Sequence, residues 1–364
     1  MKRWPIYILI ALLGAISCSK SDSSLPATQN ETIELEVVAM PTASTRSNML
    51  NSSDDIIAQG EFALSAYLSP LDAPYFTDAW VYYFVPDDGV ARWRFRDVVN
   101  QDYLIDFYWP DGEVDFMAYM PRILTKCAAT ISDVAFDPAT NMTSFNAVAQ
   151  SEINDRTEAE REAEHAKQEF VFATNFDQSK NGGSVKLRFV HPFAAVKFRL
   201  HQSHRDLVIH SITLHGLDKE GSFSSVADTF EEYLSGNNGQ DYITCSNWTT
   251  SNTGDLIINL EKRVPDDVNY QSQIGGPYMV IPQVLKSSDS KDIKISVTYS
   301  WNGNRVQSAQ FSLSTSHVSE WMPGNIYTYT LDLGDNKEEI LFKVTVEEWA
   351  KGEDEGYENN FDVQ

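Results

Sequence analysis

The sequence predicts an all-β protein of two domains with one short surface helix. Three observations carry that prediction. Apolar and polar residues alternate with a period of two in stretch after stretch, which is the spacing of half-buried strands. Aromatic residues make up 12% of the chain and sit mostly inside those stretches, where rings pack well on a pleated face. Glycine and proline break the alternation often, and one stretch alone carries clear helix signals.

The chain begins with Lys2 and Arg3, then an apolar run from Trp4 to Ile16. That run is about 13 residues, short of the roughly 20 a spanning helix needs. It reads as a secretory signal, residues 1–17. Its end, Ala15-Ile16-Ser17-Cys18, resembles a bacterial lipobox, in which the cysteine is acylated and becomes the new N-terminus. Two or more acyl chains hold a protein on a membrane where one does not. Cleavage removes two basic residues and takes the formal charge from −24 to −26. A chain this acidic repels nucleic acid and anionic surfaces, so no nucleic-acid partner is expected.

Residues 19–30 are a polar tether without core-forming side chains. Ile33, Leu35 and Val37 then alternate with Glu34 and Glu36 as a first strand. The loop 41–55 follows, and Arg46 in it is the one basic residue between Lys20 and Arg92. Phe62–Leu68 is a second strand. Two hairpins are expected next, Trp80–Val85 with Val90–Phe95 and Tyr103–Trp109 with Val114–Tyr119, each closed by a Pro…Gly turn. Residues 152–169 carry the helix signals: a Thr157-x-x-Glu160 capping box, a Glu164/Lys167 pair and a thin apolar stripe. Val185–Phe189 and Ala195–Leu200 are strands on either side of His191-Pro192.

A second round of strands begins near Leu207, which puts the domain boundary near Ser203. The domains are then 47–203 and 204–364, with 18–46 as tether and first strand. Asn302-Gly303 is a two-residue hairpin turn. Ile340, Phe342, Val344 and Val346 alternate late in the chain. The last stretch is acidic, Gly352–Glu358, yet Tyr357, Phe361 and Val363 share one face of an extended strand.

Catalytic and cofactor signatures are missing: there is no serine elbow, His-Glu-x-x-His, phosphate loop or Cys-x-x-Cys. The chain reads as a non-enzyme without cofactor. His201-x-x-His204, with His210 and His215 nearby, is the best metal candidate, but on strands that spacing lacks helical logic and reads as polar surface. Asp87-Asp88 and Asp266-Asp267 point to opposite faces of extended chain and read as solvated turns. Cys127 and Cys245 lie far apart in sequence; they either pair in an oxidising location or stay as two separate buried thiols, the plainer reading.

Several motifs, in this order, resemble the fimbrillin family, the lipoprotein pilins of Bacteroidetes-type bacteria, and within it the Mfa-like fimbrillins. They are the lipobox, the strand Ile33–Val38, the loop with Thr45-Arg46, Phe107-Tyr-Trp-Pro110 with Asp115-Phe-Met-Ala-Tyr119-x-Pro121, Phe189-x-His191, Ile281-Pro-Gln283, and Trp321-x-x-Gly324-x-x-Tyr327-x-Tyr329. The resemblance implies two tandem transthyretin-like β-sandwich domains. It implies an outer-membrane lipoprotein precursor anchored through Cys18 and cut by a trypsin-like protease between Arg46 and Ser47. The strand carrying Ile33, Leu35 and Val37 then leaves. A C-terminal strand of another pilin subunit, here with Tyr357, Phe361 and Val363, fills the groove. Such a subunit moves from the outer membrane to a surface fimbrium and supports adhesion to host or bacterial receptors. The competing reading is a lipid-anchored surface module that binds glycans and never polymerises, since glycan sites use aromatic platforms.

Overall fold

The computed structural model describes residues 31–38, 50, 53–97, 99, 104–200, 207–236, 242–263, 272–286, 292–301, 305–314, 318–333, 340–348 and 361–363. Its first half runs β1 (Leu35–Val37), α1 (Ser53–Gln59), β2 (Glu61–Ser69), β3 (Ala73–Phe84), β4 (Arg92–Arg96), β5 (Leu104–Ile105), β6 (Glu113–Met120), β7 (Thr130–Asp137), β8 (Met142–Val148), β9 (Glu152–Asn154), α2 (Glu158–His165), β10 (Val171–Gln178), β11 (Val185–Leu187) and β12 (Ala194–Leu200). The second half runs β13 (Leu207–Ser225), α3 (Thr229–Leu234), β14 (Trp248–Arg263), β15 (Ser272–Val280), β16 (Gln283–Val284), β17 (Lys294–Trp301), β18 (Gln307–Ser312), β19 (Glu320–Trp321), β20 (Asn325–Leu333), β21 (Ile340–Glu348) and β22 (Phe361–Val363). The protein is all-β with little helix.

A six-stranded sheet has the order β10-β6-β2-β3-β4-β5, and β1 pairs with β11 separately. Between them lies one core, with Phe62, Leu64, Val81, Phe95, Phe116 and Val171 from the sheet and Ile33, Leu35, Val185 and Leu187 from the pair. A five-stranded sheet, β15-β12-β20-β21-β22, faces a seven-stranded one built on β18-β17-β13-β14-β9 with β8 and β7 added. Val196, Phe198, Ile212, Leu256, Val297, Trp321 and Tyr329 fill the space they enclose. A third, aromatic cluster joins Phe145, Phe170, Phe172, Phe193, Phe223 and Trp248. Strands β7 to β9 precede residue 203, yet β8 pairs with β13 and β9 with β14.

The β3–β4 hairpin forms as its turn residues predict: the Gly89 N–H donates to the Pro86 carbonyl at 2.9 Å, with φ +76° at the glycine. The second expected hairpin does not form. Strand β5 pairs with β4, while β6 pairs with β2 and β10. The cause is burial: Phe116 and Ala118 face the first core and Met117 a small cluster with Phe136 and Phe176, so β6 belongs in mid-sheet. The expected helix over 152–169 shortens to α2. Its capping box is present, with the Thr157 side chain accepting from the Glu160 N–H and the Glu160 carboxylate accepting from the Thr157 N–H. Ahead of it, Ile153 is 1% exposed and sits on β9 opposite Ile258, because burial beside β14 outweighs local helix preference. Two further short helices, α1 and α3, add to the single one expected. Asp228 caps α3 by accepting from the Phe230 and Glu231 N–H groups, and burial pushes its carboxyl pKa up. Strands β17 and β18 pair antiparallel on either side of Asn302-Gly303, a turn that lies outside the described residues.

Candidate functional site

The first strand sits in a slot with walls on both sides. Along one wall β1 runs parallel to β11, with Leu35 opposite Val185 and Val37 opposite Leu187. The Val185 N–H donates to the Glu34 carbonyl at 2.7 Å, and the Val38 N–H to the Leu187 carbonyl at 2.9 Å. Along the other wall the Ile33 N–H donates to the Phe107 carbonyl at 2.8 Å, and the Trp109 N–H to the Glu31 carbonyl at 2.9 Å. The alternation read from the sequence decides which side chains go in. Ile33 and Leu35 are buried and Val37 packs half-buried against the same core, while Glu34 and Glu36 are exposed. The Phe107 ring packs in the same core, stacked 4.2 Å from Phe76 and edge-on to Phe95 at 4.8 Å. Burying three such aliphatic side chains is worth roughly 1.5–3 kcal/mol each. Without β1, the walls would hold unpaired backbone groups over an open apolar floor, which is a strand-pairing surface.

Past Val38 the chain is next described at Leu50, which is 1% exposed. Its N–H donates to Glu169 Oε2 at 3.1 Å, and Glu169 Oε1 lies 2.6 Å from His191 Nδ1. Both side chains of that pair are 1% exposed. Burying a carboxylate so fully calls for such partners. Arg46 and Ser47 lie in sequence between Val38 and Leu50 and, like Cys18 and Tyr357, fall outside the described residues.

The far end of the chain forms β22. Phe361 pairs with Val344 and Val363 with Phe342, so β22 closes the five-stranded sheet beyond β21. Among the described residues it has a paired strand on one side only.

The other sequence candidates resolve differently. His201 and His204 lie outside the described residues. His215 bridges Asp255 Oδ2 at 2.9 Å and Ser296 Oγ at 2.8 Å, and His210 bridges Glu261 Oε2 at 3.0 Å and Ser300 Oγ at 2.8 Å. These acid–histidine–serine rows run across β14, β13 and β17. Ser296 lies in a strand paired on both sides, so its main chain is committed to the ladder and supplies no oxyanion donor. The rows are cross-strand polar ties on a sheet face. The Asp255 carboxyl is held below the usual range, against its partial burial, by His215 and the Gly216 N–H. Among the described residues no group of three or more His, Cys, Asp or Glu side chains is placed to hold a metal. Cys127 and Cys245 are free thiols: Cys127 is buried, which pushes its pKa up to about 12, and Cys245 is half-buried with its thiol on the Trp321 carbonyl.

Sequence reasoning found the strand that fills the slot but missed most of what builds the slot. Phe107–Trp109 carries the sequence signature of a hairpin arm, and the motif Phe189-x-His191 does not point to Glu169 as its partner. Glu169 offers no local signal, since its contacts are 22 and 119 residues away.

A family model described as fimbrillin-like matches residues 98–349. Among solved structures, a fimbrial protein of Bacteroides vulgatus superposes with a TM-score of 0.55 at 13% identity, covering 88% of this chain and 100% of that one. A protein of Bacteroides uniformis, described as a candidate cell adhesion protein, gives 0.48 at 12% identity over 88% and 99%. The tip fimbrial protein Mfa3 of Porphyromonas gingivalis, with a C-terminal truncation, gives 0.38 at 9% over 84% and 98%. A search of curated proteins returns no match.

Proposed function

We propose, from the premise that this chain belongs to the fimbrillin-like family, that it is a fimbrial subunit assembled by strand exchange. The family is one of structural fimbrial and adhesion proteins rather than enzymes, and such a subunit works at the cell surface. In the finer reading, Cys18 carries the lipid anchor of an outer-membrane precursor. A trypsin-like protease cuts between Arg46 and Ser47. Residues 18–46 leave with β1, and the end of another subunit, Tyr357 to Val363, takes the slot. The division into sandwich domains 47–203 and 204–364 belongs to the same reading, with β7 to β9 reaching across it.

One observation carries this. The strand β1 fills a two-walled slot, yet it is joined to the next anchored residue, Leu50, by a stretch whose single basic residue is Arg46. One cut there separates the strand from the body that holds it. Limited digestion of the intact precursor with a trypsin-like enzyme tests the point. The first stable fragment should begin at Ser47 and migrate as a ladder in unboiled gels. A first fragment starting after Lys126 or Arg161 overturns the processing step. A fragment starting at Ser47 that stays monomeric overturns strand exchange.

A further inference from the structure

We propose that the outer face of the β3–β4 hairpin is a binding site for a sparsely charged acidic glycan, one with a carboxylate or sulfate ester on each sugar or each second sugar. Val81 and Ala79 of β3, and Trp93 and Phe95 of β4, point into the core. Trp80, Tyr82 and Phe84 therefore lie on the opposite face, as do Arg92, Arg94 and Arg96. The register sets them in rows: Trp80 opposite Arg96, Tyr82 opposite Arg94, Phe84 opposite Arg92. Arg122, from the segment after β6, joins the end of this array. The guanidinium carbons of Arg96 and Arg122 each lie 5.0 Å from the Trp80 ring centre, and that of Arg96 lies 3.8 Å over Tyr82.

The charges on this face run against the balance of the full chain, whose formal charge is −24. Arg92 and Arg94 have half-exposed partners, Asp88 at 2.5 Å and Asp106 at 2.8 Å. Arg96 and Arg122 have no carboxylate within ion-pair distance among the described residues, and the Nε of each is buried with no hydrogen-bond partner. Lys126 is held by Glu61 at 3.3 Å, and Asp78 accepts from the Tyr119 hydroxyl. Two uncompensated guanidiniums, stacked on one tryptophan, leave planar forks that suit carboxylate or sulfate oxygens.

The geometry also selects among polyanions. Among the described residues only Arg96 and Arg122 of this face are uncompensated, a short cationic patch that fits an occasional charge on a sugar chain rather than a continuous run. Double-stranded nucleic acid carries a charge about every 1.7 Å and would meet the repulsion of the acidic body along its whole length. A peptide adding as a strand would take a sheet edge rather than this face, and the backbone of β3 is taken up by β2 on one side and β4 on the other. A glycan needs only anions for the forks and apolar ring faces for Tyr82 and Phe84.

The test uses the intact mature chain, with chondroitin sulfate and hyaluronan as probes and dextran, polyglutamate and single-stranded DNA as comparisons. Binding is read by biolayer interferometry at low and high salt. At least one acidic glycan should bind at 50 mM salt and release at 0.5 M, as screening requires, and dextran should not bind. The double variant R96Q/R122Q should weaken binding about tenfold or more, the loss of one good ionic contact. The double variant D88N/D106N frees Arg92 and Arg94 and should strengthen binding severalfold, an effect that a damaged fold cannot mimic. The proposal is overturned if neither acidic glycan binds, if R96Q/R122Q and D88N/D106N both bind like the parent chain, or if polyglutamate or DNA binds more tightly than either glycan. Because monomer suffices for every arm, the result is independent of whether the subunit polymerises.

Discussion

Lys219 carries a charge that the fold does not need. It lies on β13, 5% exposed, its side chain packed beside Gly254, and its ammonium nitrogen has no hydrogen-bond partner. Burial lowers its pKa to about 8, and nearby Asp255 opposes that only in part. The sign follows from proton counting. In the unfolded chain the lysine keeps its proton up to about pH 10.4. Between the two values the unfolded chain binds the extra proton, so this residue's contribution to stability rises with pH there and is least favourable below pH 8. Lys219→Met keeps the packed stem and removes the charge. It should stabilise the protein by about 1 kcal/mol at pH 7, with the gain shrinking as pH rises past 8. Thermal melts at pH 6.5, 8 and 9.5 check this; a gain that stays constant or grows with pH would contradict it. By contrast, the buried Glu169 carboxylate is engaged at both oxygens, by the Leu50 N–H and by His191 Nδ1, and holds Leu50 where the chain re-enters the core. Replacing either partner leaves a buried polar group unmatched.

At the scale of single elements, β1 makes the sharpest prediction. It is held by the two walls and three side chains rather than by sheet on both flanks. Leu35→Asp puts a carboxylate at a position that is 9% exposed, at a cost of about 3 kcal/mol. The strand should leave its slot while the rest of the fold stays intact. The Trp109 and Val185 N–H groups, which donate to the Glu31 and Glu34 carbonyls just ahead of β1, then lose their partners. Their hydrogen exchange should speed up by about 100-fold, with β6 and β13 amides unchanged. Unchanged protection at both amides would mean the slot does not depend on β1. Elements of this kind were legible in the sequence because their signal is local. Ile33, Leu35 and Val37 show their alternation, and Thr157 and Glu160 show their capping box. What was not legible depends on distant partners. Nothing near Ile153 says that β14 will take it as a strand neighbour, and nothing near Phe107 says that it will wall a slot for residue 33. Arg92, Arg94 and Arg96 alternate along β4, but their match with Trp80, Tyr82 and Phe84 needs the register.

For the whole molecule the governing quantities are the charge and the free strand edge. The end strand β22 is three residues long and has a paired neighbour on one side, so losing it removes little from the five-stranded sheet. A chain lacking Tyr357–Gln364 should therefore fold, keep its slot and be cut normally at Arg46. It can accept a donor strand but cannot offer one. Alone it should stay monomeric after cleavage, and mixed with cleaved full-length protein it should stop growth and give short ladders. Cleaved subunits, residues 47–364, keep a formal charge of −24 and repel each other. Raising salt from 20 to 200 mM should then speed ladder formation by the full-length protein, since screening acts over about 10 Å at 0.1 M. It should leave the truncated protein monomeric, because weaker repulsion does not create a donor. Ladders from truncated protein as long as those from the parent would place the donor elsewhere in the chain. A full-length rate that falls with salt would show that attraction between charged surfaces, and not apolar strand burial, drives the joining of subunits.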